Sequence, residues 1–275
     1  MSFSLSPLTA IVFACLAGGA LSVLAAAGTR ALHSRTISRL VSFAVGALLG
    51  AVFLELLPHA LESGAIERVM ATVLIGLLLF FLLEKMVLWR HSHLEAESLA
   101  LGSPAHATGH ATAPAAAHAH SHGFDGGRSG LMILIGTSVH NFSDGIVIAA
   151  TFIADFRLGL TTALAIVAHA IPQQVGDFAV LLHSGYTRRR AFAYNLATGA
   201  ATLAGGLAGY STLASMQDVL PTVLALAAAS LLYVAVADLI PSLHRHPSPG
   251  ETAQQIALIG VGIAIIAIAH VVLEH

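Results

Sequence analysis

Long apolar runs, separated by short polar connections, follow one another along most of the chain. They lie at about 7–28, 37–58, 69–89, 130–153, 159–183, 191–214, 219–241 and 255–273. Each has about the 20 residues that a helix rising 1.5 Å per residue needs to cross the hydrocarbon core of a bilayer. The pattern therefore predicts an all-α integral membrane protein, built as a bundle of eight transmembrane helices.

The basic residues give this bundle an orientation. Of the 12 Lys and Arg residues, only Arg68 and Arg157 lie in the connections after runs two and four. The other ten lie in the connections after runs one, three, five and seven or, for Arg39 and Lys85, at the adjoining ends of runs two and three. Because cytoplasmic loops are enriched in Lys and Arg, these four connections are expected to be cytoplasmic and both termini to lie outside.

One connection is much longer than the others. The segment 91–128 is rich in Ala, Gly and His and has too few apolar residues to build a core. It predicts a disordered cytoplasmic loop between helices 1–3 (residues 1–90) and helices 4–8 (residues 129–275) of one transmembrane domain. His118, His120 and His122 form a weak candidate trap for zinc-like ions; the alternative is that this His/Ala composition has no role.

The overall composition agrees with a membrane protein. Hydrophobic residues make up 56% of the chain and charged residues 9%, with a mean hydropathy of +0.83, whereas about a quarter of a soluble domain is charged. A formal net charge of −2 gives no reason to expect nucleic-acid binding. The single cysteine, Cys15, cannot form an intrachain disulfide, and no phosphate-binding Gly-x-x-x-x-Gly-Lys-Ser/Thr sequence predicts a nucleotide site.

Two of the apolar runs contain a dense group of polar residues. These are the stretches 140–144 (HNFSD) and 169–177 (HAIPQQVGD), and each such side chain in a membrane costs roughly several kcal/mol. His140 and Asp144 are four residues apart, as are His169 and Gln173, so each pair lies on one face of its helix. The spacing predicts that these side chains converge between helices four and five and bind a divalent cation.

The ligand types indicate the class of ion. Imidazole nitrogen with carboxylate and carboxamide oxygen suits zinc, iron(II), manganese or cobalt, and the lack of thiolates disfavours copper(I). Pro172 follows His169 by three residues. Since proline cannot donate to the carbonyl of Ala168, it predicts a kink that also provides a hinge.

The polar stretches carry a family resemblance. The sequence HNFSDG at 140–145 resembles the fourth-helix signature of the ZIP (Zrt/Irt-like protein) metal transporters, and 169–177 resembles their fifth-helix signature. The resemblance extends to LLPH at 56–59, LYVAVADLIP at 232–241 and the His-rich segment after the third run. It implies a transport site and a neighbouring second ion site that includes Asn141. The candidate metal-binding residues are His140, Asn141, Asp144, His169, Gln173, Gln174 and Asp177.

The chain departs from the family pattern at three positions. Ala170 and Gln174 stand where the fifth-helix signature usually has carboxylates, and Ser242 follows Pro241 where Glu is common. Loss of negative charge weakens divalent-cation binding and puts the second ion site in doubt. In the second run, Glu55 and His59 are one turn apart. An ion-entrance site and an internal hydrogen-bonded pair both remain open for them.

The expected function is import of a divalent transition metal ion toward the cytoplasm. Zinc is the expected ion, with iron(II), manganese, cobalt and cadmium as alternatives. A second interpretation is a membrane metal-binding or sensing protein that has lost transport. An intramembrane metallohydrolase is disfavoured because the His-Glu-x-x-His sequence is absent. The expected partners are the metal ion and the lipid bilayer; a homodimer remains open, and the expected location is the cell membrane, with the bacterial inner membrane favoured.

Overall fold

The computed structural model describes residues 6–28, 34–101, 128–244 and 248–274, which form helices and short connections without a strand. We number eight helical segments along the chain. Six are single helices: α1 (Pro7–Gly28), α3 (Ile66–Leu101), α4 (Arg128–Ala154), α5 (Phe156–His183), α6 (Arg188–Leu213) and α8 (Pro249–Glu274). The helix α2 joins Ser34–Gly50, a π-helical turn Ala51–Leu56 and Leu57–Leu61; α7 joins a 3₁₀ turn Gln217–Val219, Leu220–Tyr233, a π-helical turn Val234–Leu239 and Ile240–Leu243.

The helices coincide with the predicted apolar runs. Six of them, α1, α2, α3, α5, α7 and α8, contain a described stretch that is long and apolar enough to cross a membrane. The other two differ in composition. In α4 the apolar sequence is interrupted by His140, Asn141 and Asp144, and α6 is rich in Gly, Ala and Thr. Eight crossings and the orientation of the termini therefore stay predictions.

The third helix extends further than its apolar run. The run ends near residue 89, but α3 continues to Leu101, so residues 91–101 are helical where a disordered loop is predicted. This stretch contains Leu, Ala and Glu, which are strong helix formers. The rest of the predicted loop, including His118, His120 and His122, lies at 102–127, outside the described residues.

Glycines bring α4 and α6 into backbone contact. A β-carbon on Gly205 would collide with the Phe142 carbonyl, and one on Gly145 would collide with the Thr202 carbonyl. Further along, a β-carbon on Gly209 would lie 2.9 Å from that of Ala149. Small residues let membrane helices approach where lipid gives no hydrophobic drive for association. The glycines of α6 thus fix the position of α4, which carries the polar stretch 140–144.

The α2 and α8 helices form a second close pair. A β-carbon on Gly46 would collide with the Ile259 carbonyl, and one on Gly262 would collide with the Phe43 carbonyl. Large apolar side chains on the remaining surface of α8, such as Ile256, are exposed. In a bilayer this surface contacts lipid, because apolar side chains are stable there.

Both composite helices have a π-helical turn before a proline. The Leu57 amide donates to the Val52 carbonyl, five residues back, and Pro58 follows. In α7 the Ile240 amide donates to the Ala235 carbonyl, just before Pro241. Proline has no amide hydrogen, so the preceding turn loses its regular pairing and the five-residue bonds replace it.

Candidate metal site

Three of the predicted ligands converge between α4 and α5. His140 Nε2 lies 3.4 Å from Asp144 Oδ2, His169 Nε2 lies 3.2 Å from the same oxygen, and the two Nε2 atoms are 3.2 Å apart. The spacing of His140 and Asp144 on one face of α4 places both toward His169 on α5. In the described part of the chain, this is the one group of three His, Cys, Asp or Glu residues close enough to hold an ion together.

The triangle of atoms has the dimensions of a zinc coordination sphere. Ligand atoms about 2.0–2.1 Å from a tetrahedral zinc ion lie roughly 3.3–3.4 Å from one another. The sides of the triangle, 3.2–3.4 Å, match that separation. An ion of this size can therefore contact all three atoms with little movement of the side chains, and three ligands leave a fourth position open.

The backbone of α5 sets the tautomer of one ligand. His169 Nδ1 lies 3.4 Å from the Ala165 carbonyl, and because a carbonyl only accepts, Nδ1 carries the hydrogen. In the neutral ring this leaves the Nε2 lone pair directed at Asp144 and His140, as a metal ligand requires. Two Nε2 atoms and a carboxylate oxygen at these distances repel one another unless a proton or a cation lies among them.

Burial strengthens the electrostatic interactions among the three side chains. The side chains of Asp144 and His169 are 3% and 1% exposed, whereas that of His140 is 20% exposed. A buried carboxylate is costly unless it is paired or coordinates a cation. His140 is therefore on the more open side of the triangle.

Two further oxygens, one on Asp144 itself and one a helical turn from His169, have no hydrogen-bond partner among the described residues. They are Asp144 Oδ1 and Gln173 Oε1, and both atoms are buried. Gln173 lies one turn after His169 on α5, which is helical throughout, across the buried Pro172. Buried polar atoms are normally paired, so these oxygens are available for additional contacts to an ion or its water.

The other two carboxamides of the candidate set are bound to α6. Asn141 Nδ2 donates to the Thr198 carbonyl at 2.9 Å, and Gln174 Nε2 donates to the Thr198 hydroxyl at 3.1 Å. Asn195 Nδ2 in turn donates to the Gln174 backbone carbonyl at 2.9 Å. These bonds use the nitrogens of Asn141 and Gln174 to join three helices, and they leave Gln174 Oε1 without a partner in the described chain.

Sequence reasoning did not identify Asn195 and Thr198. Both are buried, and their bonds to α4 and α5 connect residues far apart in the sequence. The available signal was an Asn within a run of Gly, Ala and Thr, since an unpaired carboxamide in a membrane is costly. Their partners, however, depend on which helices are neighbours.

A small cavity separates these carboxamides from α1. It has a volume of about 20 Å³, enough for one water molecule. Asn141, Asp144 and Gln174 line one side, Cys15 lies on the α1 side, and Ala170 contributes only a methyl group. The position where the family signature usually has a carboxylate thus adds no oxygen to this cavity.

The remaining candidate, Asp177, lies apart from the triangle. It is two turns beyond His169, and its Oδ2 accepts a hydrogen bond of 2.8 Å from the Thr137 hydroxyl. This bond links α4 and α5 between the site and the end of α5 at His183.

Glu55 and His59 each contact a different third residue. Glu55 Oε1 lies 3.1 Å from His270 Nδ1 on α8. His59 Nδ1 lies 3.5 Å from Oε2 of Glu62, the residue that follows the end of α2. The Glu55–His270 contact joins α2 to α8, and Glu55 is buried.

Comparisons with known proteins agree with this architecture. The family model described as "ZIP Zinc transporter" matches residues 2–270. The chain is 31% identical to the human protein named zinc transporter ZIP13 over 264 residues, covering 84% of this chain and 70% of that protein. The yeast protein zinc transporter YKE4 is 28% identical over 254 residues, covering 86% of this chain and 71% of that protein. With a match over nearly its whole length, the chain belongs to the ZIP zinc transporter family.

Proposed function

We propose that this protein imports divalent transition metal ions, zinc first among them, through the site formed by His140, Asp144 and His169. The observation that carries the proposal is the triangle of ligand atoms with sides of 3.2–3.4 Å, which suits a tetrahedral ion. Membership of the family supports metal-ion transport. As a transporter it performs no catalysis.

The incomplete ligand set favours transport over permanent binding. A structural zinc site closes all four positions with protein ligands, whereas a transported ion must also leave. Here the fourth position falls to Gln173 Oε1 or to water, both weak ligands. An arriving divalent ion displaces any proton shared among the three atoms, because imidazole nitrogens must be unprotonated to bind it.

Inward transport is the proposed direction, and the proposed topology assigns the two sides of the site. We place all eight helices across the membrane with both termini outside, as the distribution of basic residues favours. On this topology Asp177 lies between the site and the cytoplasm, and the ion moves inward past it. The bacterial inner membrane is the proposed location; the relatives named above are eukaryotic and do not bear on it.

A second candidate function is metal binding or sensing without flux. The specific observation in its favour is the cavity beside Asp144, where Ala170 and Gln174 supply no negative charge. A site with fewer carboxylates holds a divalent ion less strongly and provides no charged second position for it.

The test is zinc uptake into proteoliposomes, combined with equilibrium zinc binding by the same preparations. We expect the natural sequence to take up zinc and His140→Ala to lose both uptake and binding. His183→Ala is the matched control: it removes an exposed imidazole near the end of α5, bonded to the Ala179 carbonyl, and should behave like the natural sequence.

A restored variant separates the two candidate functions. Ala170→Glu together with Gln174→Glu returns carboxylates to the family positions. Uptake by the natural sequence supports the transporter. Binding without uptake, with uptake appearing only in the restored variant, supports the sensor and contradicts transport by this chain.

A further inference from the structure

A second, larger cavity lies at one end of the α2–α8 pair. It has a volume of about 940 Å³ and opens between the first turns of α2, the last turn of α7 and the first turns of α8. The two helices meet at backbone level around Gly46 and Gly262. Toward their N-terminal ends larger polar residues replace the glycines, and the space between them is this cavity, which we name the arginine cavity.

Two polar stripes face each other across the arginine cavity. The stripe on α2 consists of Arg35, Ser38, Arg39 and Ser42, and the stripe on α8 consists of Glu251, Gln254 and Gln255. Residues spaced by three, four and seven positions share one face of a helix. A polar face on an otherwise apolar membrane helix needs polar partners, so the cavity is a place where a polar ligand is stable.

The contacts across the cavity leave hydrogen-bond donors free. Arg39 Nε donates to Gln254 Oε1 at 3.3 Å, and Gln255 Nε2 lies 3.5 Å from Ser38 Oγ. The remaining guanidinium N–H groups of Arg39 are not used by these bonds. Arg35 makes no ion pair or hydrogen bond with the described residues. Guanidinium groups match phosphate oxygens in geometry and bind them in pairs of parallel bonds.

Charge and location specify the ligand further. The guanidinium groups of Arg35 and Arg39 against the carboxylate of Glu251 leave one net positive charge, which balances a phosphodiester. The wall also contains apolar residues, including Val41 and Leu258. The cavity opens at the ends of three helices, where a bilayer has its headgroups, and basic pockets between transmembrane helices at this level bind anionic lipid headgroups.

We propose that the arginine cavity binds the phosphodiester headgroup of an anionic phospholipid. Arg35 and Arg39 contact the phosphate, and the apolar wall contacts the beginning of the acyl chains. Phosphatidylglycerol is the probe because it carries one negative charge. The proposal does not depend on metal transport, since none of the cavity residues belongs to the metal site.

The experiment measures thermal unfolding of the full-length protein in detergent, after removal of lipid. Phosphatidylglycerol, phosphatidylcholine and inorganic phosphate are added in separate titrations. A ligand that binds the folded state raises the unfolding temperature. We expect phosphatidylglycerol to raise it at least about twice as much as phosphatidylcholine, because only the anionic lipid offers an uncompensated phosphate charge. Inorganic phosphate alone should have no effect.

The variants assign the effect to the cavity. Arg35→Gln with Arg39→Gln should abolish the preference for phosphatidylglycerol. The control pair, Arg68→Gln with Arg157→Gln, removes the same charge from exposed positions elsewhere. This pair should retain the preference for phosphatidylglycerol. If the Gln pair does not fold, Arg35→Lys with Arg39→Lys keeps the charge but loses the paired bonds, and the preference should fall by about half.

Three results would overturn the proposal. They are equal shifts with the two lipids, an equal loss in the control pair, and a shift with inorganic phosphate as large as that with phosphatidylglycerol. The last would identify a free-anion site rather than a lipid site.

Discussion

Asp144 lies between two polar clusters that use similar residues in opposite ways. Toward α5, Asp144 Oδ2 and the two imidazole nitrogens of His140 and His169 point at one another. Toward α6, the nitrogens of Asn141 and Asn195 each donate to a backbone carbonyl. The first cluster brings three acceptor atoms together and needs a proton or a cation among them. In the second cluster the carboxamide nitrogens are matched to acceptors, and the carboxamide oxygens of Gln174 and Asn195 have no partner among the described residues.

The difference gives a physical criterion for polar groups inside a membrane. A cluster whose donors are matched to acceptors on neighbouring helices stabilises helix packing, because it satisfies groups that lipid cannot. A cluster of acceptors that face one another is stable only when a proton or an ion lies among them. By this criterion we expect the α5 side of Asp144 to be the binding side and the α6 side to be the packing side.

The largest effect is expected from Asp144→Asn, which keeps the shape but removes the charge from the binding side. Zinc uptake should fall more than about 100-fold, because even residues that only support metal ligands contribute 10–100-fold. Uptake in proteoliposomes measures this, with Asp218→Asn, at an exposed position, as the control. Uptake by Asp144→Asn above about a tenth of the natural level would contradict the assignment of Asp144 as a metal ligand.

The next largest effect concerns stability on the packing side. Gly205→Ala places a β-carbon against the Phe142 carbonyl, and overpacking of this kind costs about 1–3 kcal/mol of unfolding free energy. Thermal unfolding in detergent measures the loss. Gly136→Ala on α4 meets no atom within 4 Å and should leave the unfolding temperature unchanged or slightly higher. Equal effects of the two changes would contradict a backbone contact between α4 and α6.

Asn195→Ala separates packing from binding. It removes the side-chain donor to the buried Gln174 backbone carbonyl, which costs about 0.6 kcal/mol of stability, the average for hydrogen bonds between membrane helices. Zinc affinity, measured by equilibrium binding, should change less than about threefold by the same energy scale. Thr212→Ala, which removes a hydroxyl bonded within α6, is the control. A tenfold loss of zinc affinity without loss of stability would place Asn195 in the binding cluster.

The smallest effect is expected from Asp177→Asn. The amide oxygen can still accept the hydrogen bond of Thr137, so stability should change by less than about 0.5 kcal/mol and zinc uptake by less than about twofold. Asp177 belongs to the metal ligands predicted from the sequence, and that prediction requires a larger loss. A tenfold loss of uptake would support it, with Thr137→Val as the companion variant that removes only the hydroxyl.

The sequence predicts the helices and the main ligands because these depend on local spacing. Hydrophobic runs of membrane-spanning length define the helices, and the four-residue spacing places His140 and Asp144 on one face. The sequence does not predict the bonds of Asn195 and Thr198, since these depend on α6 lying beside both α4 and α5. The contact of Glu55 with His270 has the same origin: it joins helices at opposite ends of the chain.

The glycine contacts between α4 and α6 also have a mechanical consequence. Two helices whose backbone carbonyls rest on glycines have no room to slide past each other, so this pair is expected to act as one rigid strut. His140 and Asp144 belong to the strut and His169 does not. An ion held by all three would add a link between α5 and the strut to the hydrogen bonds that Asp177 and Gln174 already make there. When the ion leaves, only those hydrogen bonds hold α5 against the strut on this side.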